Sequence, residues 1–107
     1  MVDLQWNREF ALEQVADDEE LLDELLTLFK ESSASDLEQL RQAVVADDPA
    51  GVLRAAHSLK GASASLGLEG IRQLALAMEH DGRNGSVTVT AAKLSDLALL
   101  LAQLDTL

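Results

Sequence analysis

Hydrophobic residues recur along most of the chain at spacings of three and four, which is the period of an amphipathic helix. The clearest run follows Asp17 and Asp18, which are suited to cap a helix, and acidic residues fill its first turn. Within the weakly helical stretch 31–35 ("ESSAS"), Ser33 stays in phase with the apolar face and suits a close helix contact. The pattern therefore predicts one continuous long helix. Its apolar positions are Leu22, Leu25, Leu26, Phe29, Leu37, Leu40 and Val44.

The next helix has clear signals at both ends. Pro49 suits a first helical position, and Asp48 suits the cap before it. The helix is predicted to run to Leu66, where Gly67 provides a C-terminal stop.

Two more long segments and one short segment complete the pattern. A short amphipathic segment spans about 7–15, a helix spans about 69–82, and the last helix ends near Thr106. "GRNG" (82–85) is a turn, and the strand-like "VTVT" (87–90) has no partner strand, so we expect it to lead into the last helix. The inward positions of the last two helices are Ile71, Leu74, Ala75, Met78, Leu94, Leu97, Leu101 and Leu104. The prediction is an all-α fold, an antiparallel four-helix bundle with a short additional N-terminal helix covering one end or side.

Composition agrees with a single helical domain over residues 1–107. The chain of 107 residues has 48% hydrophobic residues, mostly Leu and Ala, and 3% aromatic residues. No cysteine is present, which excludes disulfides, thiolate catalysis and Cys-based zinc sites. No apolar run approaches the length of a membrane span, and the N-terminus lacks the pattern of a signal peptide. We therefore expect a cytoplasmic protein, or a domain of a larger one.

The charge distribution singles out the third helix. A net charge of −11 makes nucleic acid and anionic membranes poor partners. Between residues 49 and 68, however, there is no acidic residue, while Arg54 and Lys60 are basic. Such an acid-free stretch is a candidate site, although a partly buried helix with few charges would look the same.

The helical phase places His57 directly opposite the core face of the third helix. That face consists of Val52, Ala55, Ala56, Leu59, Ala62, Ser63 and Leu66. The residues flanking His57 on the outer face are Leu53, Arg54, Lys60, Gly61 and Ala64. Gly61 and Ala64 remove bulk where a solvated face would usually present Glu, Gln or Lys. This surface therefore favours approach of another protein to the imidazole.

The chemistry of His57 and Lys60 suits a phosphoryl group. A neutral imidazole is a good nucleophile near pH 7, and an ammonium one turn away can offset phosphoryl charge. No Asp or Glu lies on this helix to act as a base, so the site is suited to accept and hold a group rather than to hydrolyse it. The sequence also lacks a phosphate-binding Gly-rich loop, so we expect no ATP site.

The stretch "AHSLKGASASLG" (56–67) resembles the signature of histidine-containing phosphotransfer (HPt) domains of bacterial phosphorelays. "DDEELLDELLTLFKE" (17–31) and "LEGIRQLALAMEHDGRNG" (68–85) resemble the second and fourth helices of that family. The resemblance implies that His57 is the phosphoryl acceptor, that Lys60 lies near the phosphate, and that Gly61 lets the partner approach. Glu79 occupies the position of a glutamine that hydrogen-bonds near the histidine in some members. A carboxylate there could orient the imidazole and would repel a phosphoryl group.

The resemblance also implies the partner. A receiver domain of a response regulator, including that of a hybrid sensor kinase, would supply the aspartyl phosphate and Mg²⁺, and the chain would need no cofactor or metal of its own. We expect the chain to be a monomer. Because a receiver's active site is also acidic, close-range contacts must drive docking between the two proteins. The residues expected to make them are Leu53, Arg54, Gly61, Ala64 and Leu68. We expect Leu53→Glu to weaken transfer far more than an equivalent change on the far surface.

Two alternatives stay open at this point. Two histidines and two methionines allow a haem- or metal-binding bundle. The outward phase of His57 and the absence of a ligand at helical spacing speak against it, and His80 suits an ordinary surface position near a helix C-terminus. The second alternative is a helical adaptor whose histidine is not phosphorylated.

Overall fold

The computed structural model describes residues 2–107 and shows the predicted all-α architecture. Its helices are α1 (Arg8–Gln14), α2 (Glu19–Val45), α3 (Pro49–Ser65), α4 (Glu69–Arg83) and α5 (Thr88–Gln103), followed by a 3₁₀ turn at Leu104–Thr106. No helix within residues 2–107 is long and apolar enough to cross a membrane.

The long helix α2 is continuous, as the hydrophobic pattern predicts. The Asp18 side chain accepts from the backbone N–H of Leu21 and caps its start. Its 27 residues make a rod of about 40 Å, which sets the long dimension of the molecule, 42 Å. Ser33 is buried at a helix contact, as its phase indicates.

Helices α2 to α5 form a closed ring around one core. Helix α3 packs between α2 and α4, and α5 packs against both α4 and α2. The short connections between consecutive helices make neighbours antiparallel. Each fully buried Leu in this core stabilises the fold by roughly 1.5–3 kcal/mol. The largest fully buried apolar side chains are Leu22, Leu40, Val52, Leu59, Leu68, Ile71, Met78, Leu97, Leu100 and Leu104.

The chain before α2 covers the connection between α3 and α4. The N–H of Asn7 donates to the carbonyl of Gly67 at 2.9 Å, and the indole of Trp6 donates to the carbonyl of Leu66 at 3.0 Å. Gly67 adopts φ +68°, the left-handed conformation that suits glycine at a helix end. The prediction that the N-terminal segment covers one end of the bundle is therefore confirmed.

The start of α5 agrees with the expectation that "VTVT" leads into the last helix. Val87 is the residue before the helix, and residues 88–90 form its first turn. This turn is held by Asp81 at the end of α4, whose carboxylate accepts from both the N–H and the hydroxyl of Thr90 at 2.8 Å. A side chain from the preceding helix thus satisfies one of the N–H groups that the start of a helix leaves without an intrahelical partner.

Candidate functional site

Helices α3 and α4 pack closely enough to bring side chains from both into one cluster. A Cβ on Gly82 would lie 2.7 Å from the carbonyl oxygen of Pro49 and 2.8 Å from the backbone nitrogen of Leu53. Such distances are far inside van der Waals contact, so the absence of a side chain at Gly82 permits this approach. Less than one turn before Gly82, Glu79 therefore reaches α3 directly.

The centre of the cluster is the carboxylate of Glu79. One oxygen, Oε2, lies 2.7 Å from Nδ1 of His57, and the other, Oε1, accepts from Nζ of Lys60 at 2.7 Å. The Glu79 side chain is 2% exposed, whereas that of His57 is 72% exposed. We call His57, Lys60 and Glu79 the α3–α4 triad. It joins an exposed imidazole to a buried anion.

The surroundings of Glu79 determine which nitrogen of His57 is free. Hydrogen bonds from Lys60 and His57, helped by the charges of Lys60 and Arg83, outweigh burial and lower the pKa of Glu79. The carboxylate is therefore ionised at neutral pH and acts only as an acceptor, which assigns a proton to Nδ1 of His57. In the neutral ring, Nε2 then keeps its lone pair.

The other predicted site residues on α3 differ in how exposed they are. Gly61 is exposed, and no atom lies within 4 Å of the Cβ position that a larger residue would occupy. Arg54 is exposed and Ala64 is half-buried. Leu53 is also half-buried, because its backbone lies against Gly82 of α4. The space above Gly61 is open to a partner.

The prediction for Leu68 is wrong. Its side chain is fully buried, with 0% exposure. Its backbone forms an isolated antiparallel β-bridge with that of Trp6. The N-terminal segment covers this position, a tertiary contact that the phase of the third helix does not encode. Leu68 is therefore part of the core and cannot contact a partner on the surface.

An apolar groove beside Gly61 is the feature that the sequence reasoning missed. It encloses about 830 Å³ between α1, α2 and α3. Ser65 lines it and donates a hydrogen bond to the carbonyl of Gly61 at 3.1 Å. Leu28 was the available signal in the sequence, because it is a large apolar residue off the core phase of α2, and the structure leaves it 60% exposed. The apolar residues lining the groove are Ala11, Val15, Leu25, Leu28, Phe29, Ala62 and Leu66.

Comparison with protein families gives a match to the Hpt domain over residues 24–107. Comparison with curated proteins and with solved structures gives no significant match. Within residues 2–107, no group of three or more His, Cys, Asp or Glu side chains is placed to hold a metal ion.

Proposed function

Because the chain belongs to the Hpt domain family, whose members are phosphotransfer modules of phosphorelays that interact with response-regulator receiver domains, we propose that His57 reversibly accepts a phosphoryl group from a receiver aspartate. The observation that supports this most strongly is the hydrogen bond of Nδ1 to the buried Glu79, which leaves Nε2 as the nucleophile on a 72% exposed side chain.

In the proposed step, the lone pair of Nε2 attacks the phosphorus of the aspartyl phosphate. The N–P bond forms as the P–O bond breaks, and the receiver's carboxylate leaves with the electron pair. The imidazole keeps its proton on Nδ1 and so becomes positively charged, and the Glu79 carboxylate 2.7 Å away compensates that charge. Because no proton is lost, the reverse transfer needs none, which suits a group that is passed on.

Lys60 is the cation that we assign to the phosphoryl group. Its ammonium has three donors and is 29% exposed, so it can turn outward from Glu79. The receiver contributes the Mg²⁺ that the transfer requires, and the chain itself is expected to take no phosphoryl group from ATP.

We place the docking surface over Gly61, Arg54, Ala64 and the apolar groove. The open space above Gly61 lets another backbone come close to His57, and the groove is bordered by Ser65, whose hydroxyl donates to the Gly61 carbonyl. Exposed apolar area next to a reactive side chain is typical of a protein-binding site. Short-range apolar contact would also offset the repulsion expected between two acidic proteins.

The assignment is tested by incubating the chain with a phosphorylated receiver domain. We expect a label that is acid-labile and alkali-stable, as a P–N bond is, and we expect none on His57→Gln. Gln is close to His in volume and the site is exposed, so the variant should fold. Label that persists on His57→Gln would disprove the assignment, and an unlabelled wild-type chain that still binds the receiver would favour an adaptor.

The docking surface is tested with two matched leucines. Leu28 in the groove and Leu99 on α5 are 60% and 58% exposed, so a charge at either should disturb the fold similarly little. We expect Leu28→Glu to slow transfer at least tenfold and Leu99→Glu to leave the rate within twofold of the wild type. Equal rates for the two variants would move the docking surface away from the groove.

A further inference from the structure

Two cationic side chains, those of Lys60 and Arg83, lie near the same buried oxygen of the α3–α4 triad. Oε1 of Glu79 accepts from Lys60 at 2.7 Å, and Nη2 of Arg83, one turn further along α4, lies 3.8 Å from the same atom. Arg83 is 56% exposed, and among residues 2–107 Glu79 is the one carboxylate within 4 Å of its guanidinium. The arginine is thus close to the oxygen but not hydrogen-bonded to it.

The geometry creates a conflict once His57 is phosphorylated. Lys60 neutralises Glu79 in the free protein, but the proposed transfer also needs it at the phosphoryl group. The imidazolium of His57 then still faces Oε2 of Glu79, but Oε1 of this 2% exposed carboxylate loses its hydrogen-bond donor when Lys60 turns away, which is costly at a buried site. Hence the phosphoryl group and Glu79 compete for one ammonium.

We propose that Arg83 resolves this competition by taking the place of Lys60 on Oε1 of Glu79 while Lys60 turns to the phosphoryl group. An N–O distance of 3.8 Å has to shorten by only about 1 Å to make a charge-assisted hydrogen bond. The side chain is mostly in solvent, and an (i, i+4) arrangement on α4 keeps it on the same face as Glu79. Arg83 is therefore a positioning residue that acts through Glu79, and this role rests on the proposed phosphorylation of His57.

The test is the equilibrium constant for phosphoryl transfer between the receiver and His57. We expect Arg83→Gln to shift it about fivefold toward the phosphorylated receiver, and Arg83→Lys to stay within twofold of the wild type. Arg41→Gln is the matched control, because Arg41 is 51% exposed and also lies 3.8 Å from a glutamate on its own helix. That glutamate, Glu38, is 59% exposed, so its charge needs no protein partner and the control should have no effect.

A double-mutant cycle with Glu79→Gln separates this role from a direct contact of Arg83 with the phosphoryl group. If Arg83 acts through the Glu79 charge, Arg83→Gln should have no effect in the Glu79→Gln background. The side-chain NMR signals of Lys60 should also move on phosphorylation of the wild type and move less in Arg83→Gln.

An equal loss in both backgrounds would overturn the proposal in favour of direct contact with the phosphoryl group. A wild-type equilibrium constant in Arg83→Gln, with label on His57, would overturn it and leave the proposed function standing. A wild-type chain that takes no label would overturn both.

Discussion

Glu79 and Asp81 are two buried carboxylates, two positions apart on α4, that face opposite sides of the helix. Glu79 faces α3, where its partners are His57 and Lys60. Asp81 faces α5, where its Oδ2 accepts from both the N–H and the hydroxyl of Thr90 at 2.8 Å. One carboxylate thus holds side chains that extend into solvent, and the other holds a fully buried residue in the first turn of a helix.

The pKa alone does not tell these two acids apart. Burial would raise the pKa of Asp81, but hydrogen bonds from Ser86 and Thr90 outweigh it and leave the pKa below its usual value. The pKa of Glu79 is lowered as well, first by its hydrogen bond from Lys60. The two acids differ in their hydrogen-bond donors, because only the donors of Glu79 belong to side chains that a partner can reach.

The largest expected effect on the fold is that of Asp81→Ala. It leaves two buried donors of Thr90 unsatisfied, so we expect the free energy of unfolding to fall by about 2–4 kcal/mol, measured by urea denaturation at pH 7. Asp81→Asn keeps an acceptor oxygen and should lose less. Phosphotransfer by the folded fraction should be unchanged in both variants, and a specific loss of transfer would remove the contrast with Glu79.

Glu79→Ala should impair transfer itself, which Asp81→Ala should leave unchanged in the folded fraction. Without the carboxylate, nothing fixes the proton of His57 on Nδ1, so we expect the rate of transfer to fall about tenfold. Nitrogen chemical shifts of the imidazole should show the proton on Nδ1 in the wild type and a mixture of tautomers in the variant. A variant that keeps the Nδ1 proton and the wild-type rate would contradict the orienting role.

The loss of stability at acid pH should depend on Glu79. Because the pKa of Glu79 is lowered in the folded state, the stability that it contributes is present above the ordinary Glu value of about 4.3 and is lost as pH falls through the folded value. Denaturation measured between about pH 5 and 2 should therefore give a shallower loss for Glu79→Gln than for the wild type. A slope that does not change would mean that Glu79 is not paired in solution.

Much of this site follows from local sequence, but its central contact does not. The outward phase of His57, the caps at Asp18 and Asp48 and the stop at Gly67 are set within one or two helical turns. The joint contact of Glu79 with two side chains of α3 depends on how closely two helices approach. That distance depends on tertiary packing around Gly82, which no helical period encodes.

A third buried acid, Asp36 on α2, provides the smallest and most discriminating test. Among residues 2–107 no cation pairs with it, and its contact is a hydrogen bond of 3.5 Å from the Ser58 hydroxyl, so burial raises its pKa with only partial compensation. A raised pKa in the folded state means that its charge destabilises the fold at neutral pH, and that this penalty disappears as pH falls through the folded value toward the ordinary one near 3.9. Asp36→Asn should therefore raise the free energy of unfolding by up to about 1 kcal/mol at pH 7 and change it little at pH 3. The contrary outcome is that Asp36→Asn destabilises the chain at pH 7, as removal of the Glu79 or Asp81 charge should. In that case a neutral hydrogen-bond donor would be enough to stabilise a buried carboxylate, and the cations beside Glu79 would not explain why its charge is tolerated.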